Sequence, residues 1–126
     1  MHSAMQRILL IDDNEEMRSM LGQMITEAGF EVVLAANGNE GIKHYRSAPT
    51  DLIITDIIMP EKGGLQTIVE LRRDYPEARV IAMSGGFRSH SDDHGALAKI
   101  LGVDRILAKP FSSDDLFRAV EEVLKD

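Results

Sequence analysis

Two adjacent acids, Asp12 and Asp13, follow directly on the apolar run Ile8-Leu9-Leu10-Ile11, and a third acid, Asp56, follows Leu52-Ile53-Ile54-Thr55. Lys109 follows Ile106-Leu107-Ala108 and precedes Pro110, while Ser84 follows the segment Arg79–Met83. Short, continuous apolar runs bounded by polar residues read as strands buried on both faces. Charged groups at the ends of such strands stand at the rim of a core, where burial is costly unless the charge is paired or bound to a metal. Three carboxylates gathered at one place repel, and at least one is driven to a higher pKa. A hard divalent cation relieves that repulsion. Mg²⁺ is held by one or two carboxylates and readily shares a phosphate oxygen. The chemistry implied is binding of a cation and of a phosphoryl group.

The elements that must position these residues alternate along the chain. Arg7–Ile11 reads as a strand. Met17, Met20, Leu21, Met24, Ile25 and Ala28 then recur at helical spacing, and Gly29 is a natural stop. Phe30–Ala35 reads as a second strand, Asn37-Gly38 as a turn, and Glu40–Arg46 as a short helix with Ile42 and Tyr45 inward. Leu52–Thr55 is the third strand and Met59–Gly64 a loop rich in Pro and Gly. Leu65, Ile68, Val69 and Leu71 form a helical stripe ending before Pro76. Arg79–Met83 is the fourth strand. Leu97, Ile100 and Leu101 mark a helix stopped by Gly102, Arg105–Ala108 is the fifth strand, and Ser112 caps a last helix carrying Leu116, Phe117, Val120, Val123 and Leu124. Strict alternation of this kind implies parallel pairing with right-handed crossovers. The expectation is a (βα)5 α/β fold, a doubly wound, flavodoxin-like three-layer sandwich. With strand order 2-1-3-4-5, Asp12, Asp13 and Asp56 converge at the switch point, outside the carboxyl ends of strands one and three.

Each residue also has a plain structural use. Asp13 or Asn14 could cap the first helix. Asp56 could be a turn acid, Lys109 a surface lysine and Ser84 a loop residue. It is their joint placement at the ends of strands one, three, four and five that a plain reading does not explain. Composition narrows the classes further. The 126 residues carry a net charge of −7, with 44% hydrophobic and 28% charged residues, the profile of one globular domain. The acidic balance argues against direct nucleic-acid binding. The absence of cysteine excludes disulfides and thiolate chemistry. No apolar run reaches membrane-span length, and a cytoplasmic protein is expected.

The chain resembles the receiver domain of bacterial response regulators, in its single-domain form. The motifs are Asp12-Asp13 after strand one, Asp56-Ile57-Ile58-Met59-Pro60 with Gly64 after strand three, Ser84 after strand four, and Lys109-Pro110-Phe111 after strand five. The resemblance covers residues 7–126, leaving residues 1–6 as a tail. It implies that Asp56 is the phospho-acceptor, taking a phosphoryl group from the phosphohistidine of a histidine kinase or histidine phosphotransfer protein. It implies Mg²⁺, with Mn²⁺ as a substitute, ligated by Asp13, Asp56 and the backbone carbonyl of Ile58, and by Asp12 through water. Lys109 and Ser84 would hold phosphoryl oxygens, and the Lys109-Pro110 bond would be cis. Ser84 and Ile106 would form the switch. The signal would leave through protein contacts on the fourth helix, fifth strand and fifth helix toward a downstream effector, from a monomer or weak homodimer that catalyses only its own phosphorylation and dephosphorylation.

Some residues depart from the family pattern. Ile106 stands where an aromatic is common, Gly63 where an acid is common, and the stretch Phe87–His94 lengthens the loop after Ser84. His90 and His94 would suit a metal only on a helix, and the surrounding Ser and Asp favour a loop. A receiver-like adaptor working without phosphorylation is the alternative that Ile106 favours. A phosphatase with an aspartyl intermediate lacks a second acid at Ile58, and a flavin site lacks a Gly-rich phosphate loop after strand one.

Overall fold

The computed structural model describes residues 5–57, 63–85 and 98–125. Strands β1 (Arg7–Ile11), β2 (Glu31–Ala35), β3 (Leu52–Asp56), β4 (Val80–Ser84) and β5 (Arg105–Ala108) form one sheet in the order β2-β1-β3-β4-β5, every neighbouring pair parallel. Helices α1 (Glu15–Glu27), α2 (Gly38–Ser47), α3 (Gly64–Asp74), α4 (residues 98–101) and α5 (Ser113–Leu124) alternate with them. This is the expected doubly wound α/β sandwich in the expected strand order.

Because side chains alternate across a strand, each apolar strand feeds two cores. Leu9, Ile11, Ile53, Val80, Ala82 and Ile106 meet Ile42 and Tyr45 of α2, Ile68 and Leu71 of α3, and Ala98 of α4. Ile8, Leu10, Leu52, Ile54, Ile81, Met83 and Leu107 meet Leu21 and Ile25 of α1, and Leu116, Ala119 and Val120 of α5. A continuous apolar strand is therefore what a sheet covered on both sides requires. Gly29 and Gly102 end their helices at φ +104° and +78°, a backbone region that costs glycine little. Ser112 and Asp115 complete a capping box on α5.

Several expectations shift. Asp56 and Ser84 are the last residues of their strands rather than the first beyond them, because Asp56 still pairs with Met83 and Ser84 with Ala108. Asn37 is an N-cap, its side chain accepting from Glu40 N–H at 2.9 Å, so α2 starts at Gly38 instead of after a turn. On α1, Met20 lies on the solvent side and Ala28 is the exposed C-cap. On α3 the inward face carries Gly64, Thr67, Ile68 and Leu71, while Leu65 and Val69 are exposed. Thr67 is buried because its hydroxyl donates to the Gly63 carbonyl at 3.0 Å, so it brings no unpaired donor into the core. Ile100, expected in the α4 stripe, is 79% exposed. Leu97, its stripe partner in the sequence, lies outside the described residues, as do Ile58 to Lys62 and the stretch Phe87–His94.

Candidate metal and phosphoryl site

The site is assembled where β1, β3, β4 and β5 end. At the end of β1, the Asp12 N–H donates to the Ala35 carbonyl of β2 at 3.1 Å, and its carboxylate oxygen Oδ1 accepts the Asn14 N–H at 2.9 Å. Asn14 is the N-cap of α1, its side chain accepting from Met17 N–H at 2.8 Å. Of the two candidates for that cap the chain uses Asn14, which leaves Asp13 exposed and free of capping duty. Asn14→Ala is expected to cost about 1 kcal/mol of stability, read from the urea midpoint with unchanged slope.

Asp56 ends β3 and is almost wholly buried. Lys109 reaches it from the end of β5, Nζ lying 2.9 Å from Asp56 Oδ2 and 4.0 Å from Asp12 Oδ2. The Lys109 N–H donates to the Ser84 carbonyl at 2.8 Å, tying the β5 exit to the end of β4, and the Lys109-Pro110 peptide is cis as expected. Gly64, at the start of α3, lies against the Asp56-Ile57 peptide and donates its N–H to the Ile57 carbonyl at 2.9 Å.

Carboxylate oxygens of Asp12, Asp13 and Asp56 all lie within 4.8 Å of one another. Asp12 is fully buried, and its Oδ2 has no hydrogen-bond partner among the described residues. Burial pushes the Asp12 carboxyl above the usual carboxylate range. The Asn14 N–H and the Lys109 charge pull it back, and the neighbouring Asp56 and Asp13 push it further up. An unpartnered buried carboxylate oxygen amid three acids fits a hard divalent cation, which takes oxygen donors and offsets their mutual repulsion. Ser84 Oγ is likewise buried and without a partner among the described residues. Leaving such a hydroxyl unpaired costs about 1–3 kcal/mol, an expense removed when a bound oxygen accepts from it.

The structure thus brings together Asp12, Asp13, Asp56 and Lys109 and sets Ser84 at the end of the adjoining strand. Ile58 lies outside the described residues. Ile106, the expected switch position, pairs with Ala82 and is buried in the cluster that holds Ala98 and Val103. Gly64, part of the motif after strand three, is brought against the Asp56-Ile57 peptide, a contact that no local pattern encodes. One residue with a part in the site carries no such motif: Arg18, whose guanidinium Nη1 donates to the Asp12 carbonyl at 2.8 Å. Its position, one turn into α1 and five residues after the acid pair, was the available signal.

A parallel sheet of this order with an acid cluster at its switch point and a lysine reaching in from the last strand defines a receiver domain. The chain belongs to the response regulator receiver domain family, which it matches over residues 8–121, and so to the proteins of two-component signalling. It is 34% identical over 123 residues to the chemotaxis protein CheY of Listeria monocytogenes, covering 96% of this chain and 100% of that protein. It is 34% identical over 115 residues to the CAI-1 autoinducer sensor kinase/phosphatase CqsS of Vibrio cholerae, covering 91% of this chain but 17% of that protein. Among solved structures it is similar to the response regulator protein TrrA of Thermotoga maritima in complex with Mg²⁺-BeF, with a TM-score of 0.81 and 32% identity over 95% of this chain and 100% of that one. Among the described residues no helix is long and apolar enough to cross a membrane.

Proposed function

We propose that this chain is a phosphorylation-dependent signalling switch that accepts a phosphoryl group on Asp56 from the phosphohistidine of a histidine kinase or histidine phosphotransfer protein. The observation that carries the reading is the Lys109 ammonium 2.9 Å from Asp56 inside a cluster of three carboxylates with an orphaned buried oxygen. An Asp56 carboxylate oxygen attacks phosphorus, and the P–N bond breaks with its electron pair passing to the imidazole nitrogen. The products are an aspartyl phosphate and a free histidine. A divalent cation, Mg²⁺ with Mn²⁺ as a substitute, held by Asp13, Asp56 and the Ile58 carbonyl directly and by Asp12 through water, supplies neutralisation of the phosphoryl charge. Lys109 exchanges its hold on Asp56 for a phosphoryl oxygen, and the Ser84 hydroxyl donates to another. The acyl phosphate is a mixed anhydride, so water hydrolyses it and resets the switch.

The new charge at Asp56 draws Ser84 and Lys109 at the ends of β4 and β5, and the signal passes to an effector protein through the α4-β5-α5 face. Similarity to part of a sensor kinase/phosphatase supports a kinase-linked setting. The net charge of −7 supports action through protein contacts, without direct nucleic-acid binding or membrane attachment. We take residues 7–126 as the domain and 1–6 as a tail, working in the cytoplasm as a monomer or weak homodimer and catalysing nothing beyond its own phosphorylation and dephosphorylation. The test is incubation with acetyl phosphate, with Mg²⁺ or with EDTA, followed by intact mass and peptide mapping. One phosphoryl group on Asp56, dependent on Mg²⁺, is expected. An unlabelled chain under conditions that label the Listeria CheY would overturn the reading in favour of an adaptor working without phosphorylation.

A further inference from the structure

Asp12 occupies the step between β1 and α1, and most of its polar groups are committed. Its N–H is held by Ala35 and its Oδ1 by the Asn14 N–H. Its carbonyl lies beyond the end of β1 at Ile11, out of the sheet ladder. It also precedes the helix, whose first carbonyl acceptor is Asn14, bonded by the Arg18 N–H at 2.8 Å. A buried carbonyl between two elements needs a partner from elsewhere. Arg18 provides it: the side chain turns back over the first turn of α1 and donates Nη1 to the Asp12 carbonyl at 2.8 Å.

We propose that Arg18 is a positioning residue for the acid cluster, holding the peptide that joins Asp12 to Asp13 and thereby setting the affinity of the cluster for Mg²⁺. The inference rests on the metal reading above. The peptide concerned is the one link between the two acids, so any rotation of it moves both carboxylates relative to Asp56. Its amide nitrogen belongs to Asp13, and its carbonyl is the group Arg18 holds. Groups that orient metal ligands without touching the metal typically change affinity by about 10–100-fold when removed.

Position and charge make opposite predictions for Arg18. As a cation near three carboxylates, a guanidinium acting through its charge would repel Mg²⁺, and its removal would tighten binding. As a positioning group, its removal would loosen binding. Lys109 is the cation that reaches the carboxylates of Asp56 and Asp12, whereas the Arg18 hydrogen bond goes to the Asp12 backbone carbonyl.

The experiment is calorimetric titration of the full chain with Mg²⁺ alone, for wild type, Arg18→Met, Arg18→Lys and Arg18→Ala, with urea unfolding in EDTA to establish that each is folded. All three replacements are good helix formers, and Arg18→Ala, which like Met has no donor and is read by the same outcomes, carries the test if Arg18→Met does not fold. Arg18→Met is expected to bind Mg²⁺ about tenfold more weakly, with Arg18→Lys, which keeps a donor, recovering most of the loss. Unchanged or tighter Mg²⁺ binding by folded Arg18→Met would overturn the proposal while leaving the metal reading intact. Failure of the wild type to bind Mg²⁺ would overturn the metal reading, and this inference with it.

Discussion

Gly64→Ala is expected to lose about 3 kcal/mol of stability and to slow phosphoryl labelling at least tenfold. The first residue of α3 lies so close to the end of β3 that a Cβ would overlap the Asp56 carbonyl oxygen and stand 2.5 Å from Ile57 Cα. Overpacking against a flexible side chain is relieved by a new rotamer, but here both obstacles are backbone. Either α3 moves outward, exposing Ile68 and Leu71, or the Asp56-Ile57 peptide moves, taking the nucleophile with it. The two responses differ in their readout. Outward movement appears as a lower urea midpoint with labelling largely kept, and movement of the peptide appears as lost labelling, because an ångström of misplacement at a reacting group can cost two orders of magnitude. The Gly64 N–H bond to Ile57 O at 2.9 Å couples the two elements, so both losses are expected together. Gly85→Ala is the control. There a Cβ would meet Lys109 Cδ at an ordinary 3.5 Å, and stability is expected to stay within about 0.5 kcal/mol of wild type.

Gly64 also marks a boundary of what the chain reveals before it folds. Strand positions were readable because runs such as Leu52–Thr55 are apolar on both faces, and only a sheet covered on both sides uses such runs. The site acids were readable for the same reason, since a charge ending a buried run is conspicuous. Helix faces were harder. Leu65, Val69 and Ile100 were assigned inward by hydrophobicity, yet all three are exposed. Apolar residues are common on protein surfaces, and the rotation of a helix about its axis is set by the partner it packs on. Thr67 is the reverse case, a polar residue on the inward face whose hydroxyl is satisfied by a local bond to Gly63. Asn37 was read as a turn because Asn-Gly is a turn signal, but an Asn that precedes a helix by one residue serves equally well as a cap. What could not be read at all were contacts that exist only once loops have closed: Arg18 on the Asp12 carbonyl and Gly64 against the Asp56 peptide.

The readout side of the site follows the same logic. Ile106 fills its position in the core with an aliphatic side chain, in the same cluster as Ala98 and Val103. A branched aliphatic group there has no aromatic edge to swing between exposed and buried rotamers. If the proposed switch operates, its coupling to α4 rests on displacement of the β4 and β5 ends, which the bond from Lys109 N–H to the Ser84 carbonyl joins.

Asp12→Asn is expected to raise stability by about 1–3 kcal/mol in EDTA and to abolish most of the stabilisation that Mg²⁺ gives the wild type. Asp12 has no exposed surface, one oxygen without a partner, and a carboxyl held above its usual range chiefly by burial. Keeping it ionised in the metal-free fold costs energy, only part of which is returned by Lys109 at 4.0 Å. That lysine is also engaged more closely by Asp56. The amide preserves shape and still accepts the Asn14 N–H through its oxygen, while the buried negative charge is gone. The same exchange removes one of three charges that attract a cation, and stabilisation by a ligand grows as the logarithm of its concentration over its dissociation constant. Urea unfolding of both proteins in EDTA and across a Mg²⁺ series separates the two effects. The variant should start higher and rise little, the wild type should start lower and climb, and the two curves should converge or cross. A variant less stable than wild type in EDTA would mean that the Asp12 carboxylate holds the metal-free fold together through Lys109. In that case the acid cluster would be a structural ion pair, and its buried Asp12 charge would need no cation to offset it.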